Sequence, residues 1–476
     1  MARTEPTWQQ RMGLAAAVLA LGAAVTLVML TRGSPLGLMQ QDSLSYIEWM
    51  PERTPGYPLF LSLIAALAPN YGALGLAQYA VLIAGTILFC DALALLTGFR
   101  AAGLALGLAV FGNYFLMRNP TAIMSETLYL ALLLAHYAFV LRAVICPRPR
   151  WPLLAGIMLG LAILVRPVGY AVVFAAPWLL VAWRERRVWS WGARYGAAVV
   201  ALILCACVGN GLTRGYFNTQ AFGGMSLVLQ VATLAPPEVE GFDPAVTRRA
   251  YDDLRPLREA ENAAASWNEV SLVQILTLNF NRKVFDPPTL AVTADPERWR
   301  TASPYWQQIA INAMAWSYAK KVVMAAPLRY ADRVIHQLHS LWFMTAITDR
   351  KTADAVAAKL QSTLGWQPET MTYPNLYIVP GWISLLRVWV GWAALLLALG
   401  IAGVSLVRRD PVLGALGYLA VSVFSYYGVV AAVGVGLPRY SLMVWPAQCA
   451  LFIGFMAWGV TGWRARRRDG GHSPSP

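Results

Sequence analysis

Two carboxylates and a few arginines stand out in an otherwise apolar chain. The stretch Gln41-Asp42-Ser43-Leu44-Ser45-Tyr46 is followed by Glu48 and then by Arg53-Thr54-Pro55-Gly56-Tyr57-Pro58-Leu59-Phe60-Leu61. A carboxylate held close after a membrane helix, as Asp42 is, can act as a general base or bind a metal when geometry allows. The alternative is a solvated loop aspartate that caps the next short helix. Glu126, in Met124-Ser125-Glu126-Thr127-Leu128-Tyr129, is expected about one and a half turns into an apolar span. Ionisable groups at that depth face a polar cavity or a partner, so Glu126 is either a binding carboxylate near Asp42 or a structural partner of Arg118 or Arg166. Arg166-Pro167 joins two apolar runs, 151–165 and 168–183, that reach only about 22–24 Å as helices, short of a core of about 30 Å. A guanidinium held below the membrane face calls for an anion, most obviously a phosphate; the alternative is an arginine snorkelling to head groups. Arg53 and Arg439 are further phosphate candidates, with head-group contact as their alternative.

Other polar residues read as structural. Asp91, in the inner third of a span, is expected to pair with an arginine such as Arg100. His336 and His339 stand one helical turn apart, a possible metal pair, but no third ligand is evident and packing at the membrane surface is the expectation. His136 reads as a hydrogen-bonded interior residue. No Walker A, no GxGxxG after a strand, no His-Glu-x-x-His and no Ser/His/Asp arrangement is present. The sequence therefore supplies no metal ligand set and no firm cofactor. The five cysteines lie in apolar runs or a short basic loop and read as small hydrophobes.

These residues are positioned by membrane helices. Of 476 residues 58% are hydrophobic and only 13% charged, which excludes an ordinary cytosolic enzyme. Ten spans are expected, at about 12–30, 72–97, 101–117, 121–141, 151–165, 168–183, 191–212, 378–404, 411–435 and 438–462. The first reads as an uncleaved anchor rather than a signal peptide. With both termini cytoplasmic, sixteen basic residues fall in inner loops and tails and five in short outer loops, the asymmetry that sets orientation. Most of the net charge of +14 thereby belongs to topology, not to a nucleic-acid partner. The organisation is a transmembrane module over 1–212, whose first outer loop, 31–71, carries Asp42; an extracytoplasmic domain or cap over 213–377, with a helical stretch near 304–343; C-terminal helices over 378–462; and a basic tail over 463–476, expected to be disordered.

The Asp-x-x-x-Tyr stretch followed by Arg-x-Pro-Gly-Tyr-Pro-x-Phe-Leu resembles the first periplasmic loop of the GT-C glycosyltransferases. These include protein O-mannosyltransferase-like and aminoarabinose transferase-like enzymes of families 39 and 83. Met124 to Tyr129, Leu164-Val165-Arg166-Pro167-Val168-Gly169 and Leu437-Pro438-Arg439-Tyr440 resemble further motifs of that superfamily, in the same order and on the same expected side. The likeness covers most of 1–183 and the C-terminal end, and 213–377 only loosely, around Ala326-Pro327-Leu328-Arg329-Tyr330. It implies an all-α multi-pass GT-C fold of about ten or more helices in a bacterial inner membrane, with an extracytoplasmic site. It also implies inverting transfer from a polyprenyl-phosphate sugar to a glycan, glycolipid or protein acceptor. Asp42 would be the base, and Arg53, Tyr57, Glu126, Arg166, Arg439 and Tyr440 would bind substrate. Many relatives have Asp-Glu where this chain has Asp42-Ser43, so a loop-bound divalent metal is not supported. A lipid-linked saccharide flippase, or a glycan polymerase or ligase, is the alternative; a flippase predicts inverted repeats and midplane charges, and neither is visible.

Overall fold

With no water in a hydrocarbon core, each backbone N–H and C=O must bond within its own helix. The long apolar runs accordingly fold as helices. The computed structural model describes residues 8–31, 38–40, 42–68, 71–183, 188–221, 223–264, 304–343, 347–348, 350–364, 377–378, 380–408, 410–433 and 438–469. The first module contains α1 (Trp8–Thr31), α2 (Ser43–Ile47), α3 (Gly56–Leu67), α4 (Leu74–Thr97), α5 (Arg100–Phe111), α6 (Tyr114–Arg118), α7 (Glu126–Ile145), α8 (Arg150–Val165), α9 (Tyr170–Val173), α10 (Leu179–Ala182) and α11 (Val188–Arg214). The middle region contains α12 (Gly223–Val231), α13 (Pro244–Asp253), α14 (Arg255–Asn262), α15 (Pro304–Ala325), α16 (Pro327–Trp342) and α17 (Arg350–Leu364). It also holds two strands of two residues each, β1 (Ile347–Thr348) and β2 (Tyr377–Ile378), paired in parallel. The last module is α18 (Gly381–Val407), α19 (Pro411–Val433) and α20 (Pro438–Asp469).

The protein is a helical multi-pass membrane protein. Among the described residues seven helices are long and apolar enough to cross a membrane: α1, α4, α7, α11, α18, α19 and α20. The expected third span is α5 with α6, bent by 59° at Gly112-Asn113, and the fifth and sixth are short, as their sequence length required. The sixth is broken into turns between Pro167 and Ala182, because Pro177 removes a backbone donor within it. In the bundle α4 packs on α7, α7 on α8 and α8 on α11, while α19 lies between α18 and α20. The close approach of α4 to α7 depends on Gly85, where a Cβ would stand 2.6 Å from the Ala131 carbonyl oxygen, a small-residue contact of the kind membrane helices use.

A second, smaller core lies in the middle region, where Val228, Val231 and Leu257 pack against Tyr318 and Val322. It is tied to the bundle through α19: the Gln230 side chain donates to the Ala431 carbonyl at 2.9 Å, and the Tyr330 hydroxyl donates to that of Ala432 at 2.6 Å. Within this middle region, buried Arg333 donates to Glu261 at 2.6 Å and to the Thr233 hydroxyl at 2.7 Å, which fixes α16 to α14. The single helical stretch expected near 304–343 is two helices. It breaks at Ala326-Pro327 because a residue before proline is driven out of helical geometry, and Ala326 is in a non-helical conformation.

Asp91 pairs with Arg11 and Arg142, at 2.9 and 2.6 Å, rather than with Arg100. Asp91 lies about one and a half turns before the end of α4, level with the start of α1 and the end of α7, whereas Arg100 opens the next helix beyond a turn. His136 is an interior residue as expected, with Nδ1 2.9 Å from the Ala155 carbonyl oxygen and Nε2 2.7 Å from the Tyr418 hydroxyl.

Candidate functional site

The first loop is stitched to the segment that precedes α7. Leu38 and Ala122 form a parallel bridge, with Leu38 N donating to Thr121 O and Ile123 N to Leu38 O, both at 3.0 Å. Ser43 Oγ then donates to the Ile123 carbonyl at 2.9 Å. The extended stretch through Ala122, after the 3₁₀ turn of Asn119–Thr121, delays the start of the helix. Glu126 is therefore the first residue of α7, not a residue one and a half turns inside a span. Its carboxylate stands at the positive end of the helix dipole.

Behind the loop, Thr54 Oγ1 donates to the Val165 carbonyl at 3.1 Å. A Cβ on Gly56 would lie 2.6 Å from Leu164 O, so only glycine lets α3 begin against the end of α8. These contacts explain the Thr54-Pro55-Gly56 run: it seats the loop beside Arg166, the residue that ends α8. On its far side the loop is held by α11, where the Arg214 guanidinium stacks 3.9 Å from the Trp49 ring and donates to the Trp49 carbonyl at 3.3 Å. Trp49 has φ +48°, a conformation that costs free energy and persists only when its surroundings hold it.

Asp42 occupies the position before α2, yet its side chain makes no capping bond. Its Oδ1 accepts from Arg53 Nη2 at 3.0 Å. Arg53 also donates from Nε to Ser45 Oγ at 2.7 Å and from Nη1 to the Tyr46 hydroxyl at 3.4 Å. The Tyr46 and Ser125 hydroxyls are 2.8 Å apart, and Arg166 Nη1 donates to the same Ser125 Oγ at 3.2 Å. Arg166 Nη1 is in turn 2.6 Å from Glu126 Oε1, and its guanidinium lies 5.6 Å from the Tyr440 ring. One continuous polar chain thus runs Asp42, Arg53, Tyr46, Ser125, Arg166, Glu126.

The two ends of that chain differ in access. The Asp42 and Arg53 side chains are 22% and 16% exposed, whereas Arg166 is 12% and Glu126 only 2% exposed. Burial works against the charge of Arg53, but Tyr46, Asp42 and Glu52 outweigh it, so its guanidinium holds its proton more tightly than usual. Burial also lifts the Glu52 carboxyl above the ordinary glutamate range, and Arg53 offsets only part of that rise.

Of the seven residues singled out, Asp42, Arg53, Glu126, Arg166 and Tyr440 come together. Tyr57 is fully buried and meets Tyr46 edge-on at 5.0 Å between centroids, beneath the network rather than at its surface. Arg439 opens α20 next to Tyr440, but its side chain lies outside the described residues. Sequence reasoning missed the two hydroxyls that join the ion pairs. Tyr46 had a signal, since a residue four after Asp42 shares its helix face; Ser125 had none beyond its neighbour Glu126. Among the described residues no group of three His, Cys, Asp or Glu is placed to hold a metal. His336 is 3.4 Å from Asp332, and the His339 ring packs on Phe343. The site can offer a reachable carboxylate for a proton and two guanidiniums for an anion.

No family model matches the chain, and no curated protein matches it. Among solved structures, the chain is similar to the crystal structure of ArnT from Cupriavidus metallidurans bound to undecaprenyl phosphate. The identity is 12% and the TM-score 0.35, over 92% of this chain and 77% of that one; a score that low does not establish a shared fold.

Proposed function

We propose that the protein is an integral-membrane glycosyltransferase of GT-C type that moves a sugar from a polyprenyl phosphate to a glycan, glycolipid or protein acceptor on the extracytoplasmic side of a bacterial inner membrane. The observation that carries this reading is the single network of two carboxylates and two arginines, drawn from three separate sequence motifs. Those motifs are the ones that resemble the superfamily.

A sugar on a lipid phosphate already has a good leaving group, so the protein needs chiefly to take a proton from the acceptor hydroxyl and to stabilise the departing phosphate. Asp42, the more accessible carboxylate, receives that proton as the acceptor oxygen bonds to the anomeric carbon. The bond from that carbon to the phosphate oxygen breaks on the opposite side, and the electron pair leaves with the phosphate, so the anomeric centre inverts. Arg53 and Arg166 stabilise the phosphate, with Arg439 next to Tyr440 completing the clamp. No step requires a metal.

The test is transfer of a labelled sugar from polyprenyl phosphate in membranes containing the full chain. Asp42→Asn at normal expression is expected to reduce transfer at least a hundredfold, the scale of a lost general base. Full transfer by that variant would remove Asp42 from the role.

A further inference from the structure

The charge count at the site poses a problem for binding a phosphate: the two arginines whose side chains are described there each already hold a carboxylate. Arg53 Nη2 is on Asp42 and Arg166 Nη1 on Glu126, so the four side chains sum to zero. From these four an incoming phosphate meets no net positive charge. It must either be bound beside two carboxylates, which costs like-charge repulsion, or take an arginine from one of them.

We propose that Asp42 and Glu126 are resident counter-ions that the phosphate of the donor displaces, so that donor binding itself frees Asp42 to meet the acceptor hydroxyl. This rests on the glycosyltransferase reading above. A phosphodiester matches the planar guanidinium fork in a bidentate way through its two non-bridging oxygens, whereas Arg53 holds Asp42 through Nη2 alone. The first exchange falls on Arg53: its pair is the more exposed of the two, and Asp42 lies on a loop while Glu126 is fixed at the head of α7. Arg53 has other acceptors to hold it in place meanwhile, the Ser45 and Tyr46 hydroxyls. The Tyr46 and Ser125 hydroxyls then link the two exchanges, because both arginines donate to that hydroxyl pair. Before donor binds, the ion pair with Arg53 holds the Asp42 carboxylate and weakens it as a proton acceptor; afterwards it is released. Donor binding therefore precedes productive acceptor binding.

The experiment is equilibrium binding of undecaprenyl phosphate to the purified full chain in phosphatidylcholine nanodiscs, with undecaprenol and inorganic phosphate as parallel probes. Asp42→Asn, close to isosteric, is expected to tighten undecaprenyl phosphate about fivefold to tenfold, the scale of a part-buried ion pair removed as competitor. Arg53→Gln should weaken it, and Asp42→Asn should have no effect in the Arg53→Gln background. That last comparison separates exchange at Arg53 from a general gain on removing a negative charge, which would persist without the arginine. Glu126→Gln is expected to tighten binding likewise through Arg166, and if that variant does not fold the Asp42 cycle decides alone. The inference is overturned if the wild type binds undecaprenyl phosphate and Asp42→Asn binds it no better. If neither binds it, the donor reading itself falls and takes the exchange with it. An equal Asp42→Asn gain for inorganic phosphate would support the exchange and show that it answers to phosphate alone; undecaprenol should show no gain.

Discussion

Glu52 sits beside Arg53 with its carboxyl largely taken from water, and its proton affinity is raised by that burial more than Arg53 lowers it. The folded protein therefore favours neutral Glu52 more than the unfolded chain does. Below the unfolded glutamate range both states are protonated and nothing is lost; as pH rises through that range and then through the raised folded value, the protein loses stability. Glu52→Gln, which stays neutral throughout, should raise the melting temperature at pH 7.5 by about 1–2 °C. The gain should vanish near pH 4, measured by thermal unfolding in detergent at both values. A gain of the same size at both would mean the effect is packing. The residue scale also defines what could be read in advance: Asp42, Arg53, Glu126 and Arg166 were identifiable by type and motif, and Arg166 was one of two arginines open to Glu126, but the pairing of Asp42 with Arg53 was not readable. Pairing depends on distances between residues 40 positions apart, as Arg166 and Glu126 are.

At the scale of elements, the charge cluster around Asp91 has a mechanical task. Helix α1 meets the bundle along one edge, on α4 and α5, and leaves Leu19, Leu27 and Val28 exposed to lipid. Its polar anchor is Arg11, which donates to both oxygens of Asp91, while Arg142 of α7 takes the same carboxylate and stacks near Trp151. Asp91→Asn leaves two guanidiniums facing each other in a part-buried place. Breaking such a pair is expected to cost about 2–3 kcal/mol, below the fully buried figure because the Arg11 side chain is 43% exposed. The check is the melting point in detergent together with protease access to the first fifteen residues; an unchanged melt would show that α1 is held by packing alone. The sequence marked Asp91 as a structural ion but paired it with Arg100, since neighbours in the chain are visible there and neighbours in space are not. Likewise it marked Arg166-Pro167 as a break, but could not show that α3 is seated against it through Gly56.

For the whole molecule, the two charge networks stand at opposite ends of one helix. Glu126 opens α7 and Arg142 lies sixteen residues further on, about 24 Å along the axis, close to a hydrocarbon thickness. The middle region attaches at the Glu126 end, through Gln230 and Tyr330 to the end of α19. Single cysteines placed at Glu240 and at Arg148, both exposed, in a background lacking the native five should therefore label from opposite faces of sealed vesicles. The Glu240 site is expected to be extracytoplasmic. Labelling of both from one face would overturn the orientation argued from loop charges. Apolar length in the sequence by itself determined the class of protein and roughly where its seven long helices fall, because hydrocarbon admits only backbone that bonds to itself. Tertiary structure alone decided that Asp42 and Glu126 belong to one network and that both arginines are already occupied. Those are facts of distance between segments far apart in the chain, brought together by the bridge at Leu38 and Ala122 and the close approach at Gly56.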